Sequence, residues 1–201
     1  VAPTPMSRRL FAAMPEKNIN STTMLPAALR PTPDESGMTV PQLLEHRINA
    51  LFEQIPLVAE LGEAFAQAGH DLYLVGGSVR DALMGRLGHD LDFTTDARPD
   101  DTEAILRQHT HATWDIGRAF GTIGAQIDDW VVEVTTYRAD AYHPDSRKPE
   151  IVYGETLKDD LIRRDFTVNA MALHAATRTF SDPYAGLTDI VSGILRTHFP
   201  P

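Results

Sequence analysis

Two aspartates one residue apart, Asp90 and Asp92, are the side chains in this sequence best placed to hold metal ions. They alternate with Leu91 and Phe93, which is the pattern of a β-strand with one face in the core. Side chains two apart on a strand share a face at about 7 Å, and such carboxylates can jointly hold a pair of Mg²⁺ ions for in-line attack on a phosphoryl group. Mg²⁺ also prefers hard oxygen ligands. A solvent-facing strand edge would show the same pattern, so its surroundings must decide between the two interpretations.

A glycine-rich turn precedes this pair by about a dozen residues. The apolar run Leu72-Tyr73-Leu74-Val75 predicts a strand, Gly76-Gly77-Ser78 follows, and Val79 to Met84 predicts a short helix closed by Gly85. Glycines let backbone N–H groups approach a ligand, and the start of a helix favours an anion. The turn therefore predicts a triphosphate cradle at Gly76 and Gly77, with Arg80 able to add a bidentate phosphate contact. An ordinary strand-to-helix turn is the alternative, since neither the P-loop nor the dinucleotide fingerprint is present.

Glu133 is the candidate third carboxylate. It lies in Val131-Val132-Glu133-Val134-Thr135, an otherwise apolar and β-branched strand. An unpaired acid is costly to bury, and metal coordination would remove that cost. An exposed position is the alternative interpretation. Asp128 and Asp129 are weaker candidates, because they are more typical of the turn of a hairpin.

Arg163, Arg164 and Asp165 form the remaining charged cluster of interest. Paired arginines suit phosphate binding, and Asp165 is predicted to orient one of the guanidinium groups. A surface helix with a local ion pair is the commoner role of such neighbours. Asn169, within the apolar stretch that follows, is predicted to make a buried hydrogen bond.

Composition excludes several classes of function. The chain has 201 residues, no cysteine and a formal net charge of −10. Disulfides, thiolate metal sites and a cysteine nucleophile are therefore excluded, and a simple basic nucleic-acid-binding module is disfavoured. The absence of cysteine fits a reducing cytoplasm. No apolar run approaches the roughly 20 residues that would cross a membrane.

The elements that must position these residues are predicted from Pro41 onward. Residues 1–40 are proline-rich without apolar periodicity, so we expect them to be disordered or to lie before the true start. Residues 41–201 are predicted to form one domain of the α/β class in α+β style, a small mixed sheet with its helices mainly on one face. Beyond the elements above, the patterns predict two helices broken at Pro56, a helix over Asp100–Gln108, a hairpin of Thr122–Ile127 and Trp130–Tyr137, a long loop over 138–155 and a helix over Leu157–Arg164.

Together these motifs resemble the class II CCA-adding enzymes and bacterial poly(A) polymerases, a family of polymerase β-like nucleotidyltransferases. The resemblance runs from about Leu72 to Arg196. Its motifs are Leu74 to Asp81, Gly85-Arg86, Asp90 to Phe93, Glu133 to Arg138, Leu161 to Met171, Asp182 to Gly186, and Asp189.

The resemblance implies a head domain whose Asp90 and Asp92 bind Mg²⁺, with Glu133 as the less certain third acid. Gly77 and Arg80 would hold the triphosphate and Arg164 would contact it from the other side. The 3′ hydroxyl of an RNA would attack CTP or ATP and release pyrophosphate, with CCA addition to a tRNA 3′ end favoured over poly(A) synthesis. The loop over 139–155 would be mobile.

The resemblance also implies a neck with a Glu-Asp-x-x-Arg motif that reads the base, and the chain ends at Pro201 before any such motif. A basic body and tail that grip tRNA would be missing as well. We therefore expect a head separated from its RNA-binding half. A truncated, non-catalytic nucleotide-binding module is the alternative.

Overall fold

A pair of helices opens the fold. The computed structural model describes residues 32–86, 88–139 and 152–197, and its first helices are α1 (Val40–Gln54) and α2 (Pro56–Gln67). Pro56 stands in the first turn of α2, where its missing N–H needs no partner. The predicted break between two amphipathic helices is thus confirmed. Their buried side chains form one stripe along the pair: Leu43, Leu44, Ile48, Leu51, Val58, Leu61 and Phe65.

The folded part begins earlier than the sequence indicates. Residues 1–31 lie outside the described residues, but residues 32–39, which were assigned to the disordered segment, contain a 3₁₀ turn at Pro33–Glu35 and the N-cap of α1. Glu35 is buried and accepts hydrogen bonds from Arg47 Nε (2.9 Å) and Nη2 (3.1 Å). Arg47 also donates to the carbonyl of Leu83. This ion pair fixes the segment, and no local periodicity could have revealed it.

A seven-stranded mixed sheet forms the centre of the domain. Its strands are β1 (Leu72–Val75), β2 (Asp90–Thr95), β3 (Thr113–Trp114), β4 (Thr122–Ile127), β5 (Trp130–Thr136), β8 (Ala172–His174) and β9 (Phe180–Ser181). They lie in the order β3-β4-β5-β2-β1-β8-β9. Within this sheet β2 and β5 pair in parallel, and the other neighbours are antiparallel. The predicted hairpin is present as β4 and β5, joined at Asp128-Asp129.

The two faces of the sheet differ. Leu74 of β1 and Phe93 of β2 point into the main core, which they share with α1, α2, α3 (Gly76–Leu83), α4 (Pro99–Leu106) and α6 (Gly186–Ser192). Val75, on the opposite face, packs in a smaller cluster with Leu161 of α5 (Leu157–Ile162). Among the described residues, α5 is therefore the helix on the second face. This confirms the predicted mixed sheet with helices mainly on one side.

Two local predictions need correction. Helix α3 begins at Gly76 and not at Val79, so the glycines form its first turn. The predicted loop over 138–155 starts and ends in paired strands, β6 (Arg138–Ala139) and β7 (Val152–Tyr153); its residues 140–151 lie outside the described residues. Across the described ranges, no helix is long and apolar enough to cross a membrane.

Candidate active site

Three carboxylates gather on the face of the sheet opposite the main core. Asp90 and Asp92 are exposed on β2, and their neighbours Leu91 and Phe93 are buried on the core side. In the parallel register of β2 and β5, Glu133 lies directly opposite Asp92. Adjacent strands are about 4.8 Å apart, so the two side chains emerge side by side. The register thus places the three acids that the sequence singled out on one face of two adjacent strands.

Ser78 links the strand of the aspartates to the glycine helix. Its Oγ donates a hydrogen bond to the carbonyl of Asp90 (3.2 Å) and accepts one from the N–H of Asp92 (3.1 Å). The paired register of β1 and β2 ends at Leu74 and Phe93, so the Ser78 side chain supplies hydrogen bonds to β2 beyond that point. The sequence offered no signal for this role beyond the position of Ser78 after two glycines.

The surroundings of Asp92 disfavour its charge. The side chain of Asp92 has an exposed surface, but the protein atoms packed around its carboxyl group remove part of its hydration. This desolvation is the largest cause of the raised pKa of Asp92. The Arg164 guanidinium lowers the pKa and the Asp90 charge raises it. A carboxylate in such a place gains from a cation, because the cation offsets both the lost hydration and the repulsion between neighbouring acids.

The glycine turn is shaped around an arginine. Gly76 has φ of +66°, and a Cβ at that position would lie 3.0 Å from Arg164 Nη1. Arg164 therefore reaches the first turn of α3 from α5's side of the sheet. A side chain at residue 76 would be strained and would crowd the guanidinium, so glycine meets both requirements.

Arg80 is held beside the second glycine. Its Nε and Nη2 donate to the Asp81 carboxylate at 2.9 and 3.0 Å, and its Nη1 donates to Asn169 Oδ1 at 2.7 Å. Asn169 thus makes the predicted hydrogen bond, but at a partly buried and not a fully buried position. A Cβ at Gly77 would lie 3.4 Å from Arg80 Nη2, so the guanidinium faces the start of the helix.

The arginines at the end of α5 surround a buried acid. Asp160, which is 3% exposed, accepts hydrogen bonds from Arg164 Nη2 (2.9 Å) and from the backbone N–H of Arg138 (3.4 Å). The prediction that Asp165 orients this guanidinium is therefore wrong for Arg164; Asp165 is exposed, and Asp160 lies one helical turn before Arg164 on its side of α5. This (i, i+4) spacing was available in the sequence but less conspicuous than adjacency.

Positive charge exceeds negative charge in the cluster formed by Arg138, Arg163, Arg164 and Asp160. Burial lowers the pKa of Arg138, and the Arg163 charge lowers it further, while Asp160 opposes both effects. Within the described part of the chain, the Nε atoms of Arg138 and Arg164 are buried and have no hydrogen-bond partner. An anion bound here would meet unbalanced guanidinium groups next to a helix start.

The acids suit Mg²⁺ in its usual partly hydrated form. Among the residues described, no three His, Asp or Glu side chains converge into a cage for a metal ion. Mg²⁺ typically binds through one or two carboxylates together with waters and substrate phosphates, and does not need such a cage. The exposed carboxylates Asp90 and Asp92 fit that requirement, with Glu133 beside them.

The mixed sheet, with two aspartates on one strand, a third acid on the next and a glycine-started helix beside them, has the fold of a polymerase β-like nucleotidyltransferase head. The family description "Poly A polymerase head domain" matches residues 72–196, and the chain belongs to this family.

CCA-adding enzymes are among the proteins that the chain resembles. The chain is 41% identical over 150 residues to the CCA-adding enzyme of Staphylococcus aureus strain MRSA252, which covers 74% of this chain and 35% of that protein. The crystal structure of the Bacillus stearothermophilus CCA-adding enzyme in complex with CTP is similar at a TM-score of 0.61 and 35% identity, covering 72% of this chain and 33% of that one. A tRNA nucleotidyltransferase complexed with a primer tRNA and an incoming ATP analog matches at 0.57 and 30%, over 70% and 39% of the two chains. The chain thus spans about a third of the length of these relatives.

Proposed function

We propose that this chain is the catalytic head of a template-independent RNA 3′-end nucleotidyltransferase that adds CCA to tRNA from CTP and ATP. The observation that carries the proposal is the pairing of Asp92 with Glu133 next to the arginine-lined start of α3. A carboxylate site for divalent cations and an anion site thus adjoin on one sheet face. A cytoplasmic location is part of the proposal, and the cysteine-free sequence is consistent with it.

The residues divide the work of phosphoryl transfer between them. Asp90 and Asp92, with Glu133, would hold Mg²⁺, which supplies charge neutralisation and activation of the attacking hydroxyl when bound. Arg164 and the first turn of α3 would bind the triphosphate, with Arg80 beside it. The 3′ oxygen of the RNA forms a bond to the α-phosphorus, the bond to the β-phosphate oxygen breaks, and pyrophosphate leaves toward the arginines with the hydroxyl proton passing to solvent.

The ligands in the related structures support the choice of substrates. One relative is described in complex with CTP, and another with a primer tRNA and an incoming ATP analog. Poly(A) synthesis is the second candidate, because the matching family is named for poly A polymerase. A non-catalytic nucleotide-binding module is the third, and the net charge of −10, which disfavours a grip on RNA by this chain alone, is consistent with it.

The test is incorporation of labelled CTP or ATP, with Mg²⁺, into a tRNA that lacks its terminal CCA. The double variant Asp90→Ala/Asp92→Ala should abolish incorporation, whereas Asp101→Ala removes an exposed acid of α4 and should leave it unchanged. CTP-dependent addition followed by a single ATP addition supports CCA synthesis, and long ATP-only products support poly(A) synthesis. No incorporation, with metal-dependent NTP binding retained, would favour the binding module.

A further inference from the structure

Trp114 occupies an unusual position on the edge strand β3. A Cβ at Gly124 of β4 would lie 2.1 Å from both Cε2 and Nε1 of the Trp114 indole. No real side chain tolerates such a contact, so the glycine provides the space in which the ring lies. The indole therefore leans inward across β4 instead of standing beyond the edge of the sheet. It remains partly exposed.

The register places this indole on the same face as the carboxylates. Trp114 pairs with Gly124, Gly124 pairs with Glu133, and Glu133 pairs with Asp92. Directly paired residues point to the same side of a sheet, and neighbouring strands are about 4.8 Å apart. Because the ring covers Gly124, it lies about one strand spacing from the Glu133 position and two from Asp92.

The carboxylates separate two chemically different sides of the site. On the β1 side lie Gly76, Arg80 and Arg164, which suit the phosphates of the incoming nucleotide. On the β4 side lies the Trp114 indole, and the segment after β3 exposes Ile116 (88%) and Phe120 (57%). In-line displacement requires the attacking oxygen to approach opposite the leaving pyrophosphate. The nucleoside that carries this oxygen must therefore approach from the side of Trp114.

We propose that Trp114 is the stacking platform for the 3′-terminal nucleoside of the RNA primer. The inference rests on the proposed function, since it assigns an occupant to the primer side of the same site. An aromatic ring stacks on any base with little sequence preference, which suits a primer whose last base changes as nucleotides are added. Gly124 is the matching positioning residue, because it leaves the space that the indole occupies over the strand.

Fluorescence allows a test that does not depend on turnover. The chain has two tryptophans, and Trp130, at the start of β5, makes a ring contact with His89. Trp130→Phe leaves Trp114 as the reporter. We expect a short RNA ending in two cytidines, with Mg²⁺ and a non-hydrolysable ATP analogue, to quench this protein in a saturable way. The same RNA with an abasic 3′ end should quench less, and Trp114→Phe, which retains Trp130, should show little response.

Affinities then separate stacking from a purely structural role. Trp114→Ala should weaken RNA binding roughly tenfold, Trp114→Phe should retain most of the affinity, and the ATP analogue should bind all variants within about twofold. Gly124→Ala keeps the indole but displaces it, so it should weaken RNA binding as well. RNA binding at unchanged affinity by Trp114→Ala, or equal quenching by the abasic RNA, would overturn the inference. If Trp114→Ala does not fold, Gly124→Ala takes its place, and unchanged RNA affinity in that variant would overturn the inference.

The failure of the two proposals can be told apart. If the unchanged chain does not incorporate CTP or ATP but Trp114 still senses the RNA terminus, the proposed catalysis fails and the stacking site stands. If incorporation is robust and Trp114→Ala leaves the KM for the primer unchanged, the catalysis stands and the stacking site is wrong.

Discussion

The hydroxyl of Ser78 accepts a hydrogen bond from the backbone N–H of Asp92 across 3.1 Å, and it donates one to the carbonyl of Asp90. The described register of β1 against β2 runs from Leu72 with Thr95 to Leu74 with Phe93, just before the aspartates begin. The side chain of Ser78 thus continues the ladder where the chain turns into α3. This one hydroxyl thus links the backbone of both aspartates to the first turn of α3.

Ser78→Ala should therefore lower stability and activity together. Loss of two hydrogen bonds to the backbone should reduce the free energy of unfolding by about 1–2 kcal/mol. If β2 then shifts relative to α3, kcat should fall roughly tenfold or more, since small displacements of positioned groups are costly. Urea unfolding and single-turnover incorporation measure the two effects. Ser78→Thr retains the hydroxyl and should keep most of both; equal losses in the Thr and Ala variants would contradict the assigned role.

Arg164 should determine nucleotide affinity through its charge and its shape. Arg164→Ala removes charge-assisted hydrogen bonds to the triphosphate and should weaken ATP binding roughly ten- to a hundredfold. Arg164→Lys should recover only part of it, because an ammonium lacks the planar fork. Isothermal titration measures these affinities. Arg107→Ala removes an exposed arginine at the end of α4 and serves as the control; an equal loss in that variant would indicate a general charge effect.

Asp160 should contribute strongly to the stability of the fold, although it is not one of the proposed metal ligands. It is buried, and it is the carboxylate between Arg164 and the backbone of Arg138. Asp160→Asn keeps the shape but leaves the guanidinium charges unbalanced, which should reduce the free energy of unfolding by about 3 kcal/mol. Asp165→Asn, at an exposed position, should have little effect on unfolding. Similar losses for the two variants would show that the buried pairing is not decisive.

Much of this arrangement follows from local sequence patterns. Alternation at Asp90 to Phe93 predicts a strand with its acids on one side, and the helical period of Leu43 to Ile55 predicts α1. The register that sets Glu133 against Asp92 is different, because β2 and β5 are 35 or more residues apart and pair in parallel. Local patterns carry no register between such distant strands.

The residues whose roles could not be predicted from the sequence have one physical feature in common. Ser78, Asp160 and Trp114 act through contacts that only the folded chain creates: a backbone reached across the end of a strand, an arginine one turn away, and a glycine on the neighbouring strand. Residue type gave no hint of these roles, since serine and aspartate are common at surface and turn positions and a tryptophan more often packs in a core. Glu35 belongs to the same group, because its partner Arg47 lies on a separate element.

Mg²⁺ should stabilise the domain through Asp92. At ten times its Kd, a ligand that binds only the folded state adds about 1.4 kcal/mol to the free energy of unfolding. Asp92→Asn should lose this gain and should be more stable than the unchanged chain in chelator, since burial and the Asp90 charge disfavour the carboxylate there. Thermal unfolding with and without Mg²⁺ measures both effects. Asp101→Asn should behave like the unchanged chain; if Asp92→Asn also keeps the Mg²⁺ response, Asp92 is not a ligand.

The ion pair of Glu35 and Arg47 should give the stability of the domain a characteristic acid dependence. Hydrogen bonds from Arg47 lower the pKa of Glu35 from 4.5 to about 2. A carboxyl group with a lowered pKa contributes stability above its unfolded pKa and loses it as the pH falls, here between about 4.5 and about 2. The shift corresponds to about 3 kcal/mol.

The difference in unfolding free energy between the unchanged chain and Glu35→Gln should therefore be near this value at pH 7 and mostly gone near pH 2. Urea titrations from pH 7 to 2.5 measure it, with the exposed neighbour Asp34→Asn as control. A difference that stays constant over this range would mean that the stabilisation comes from packing of the segment and not from the charge of Glu35.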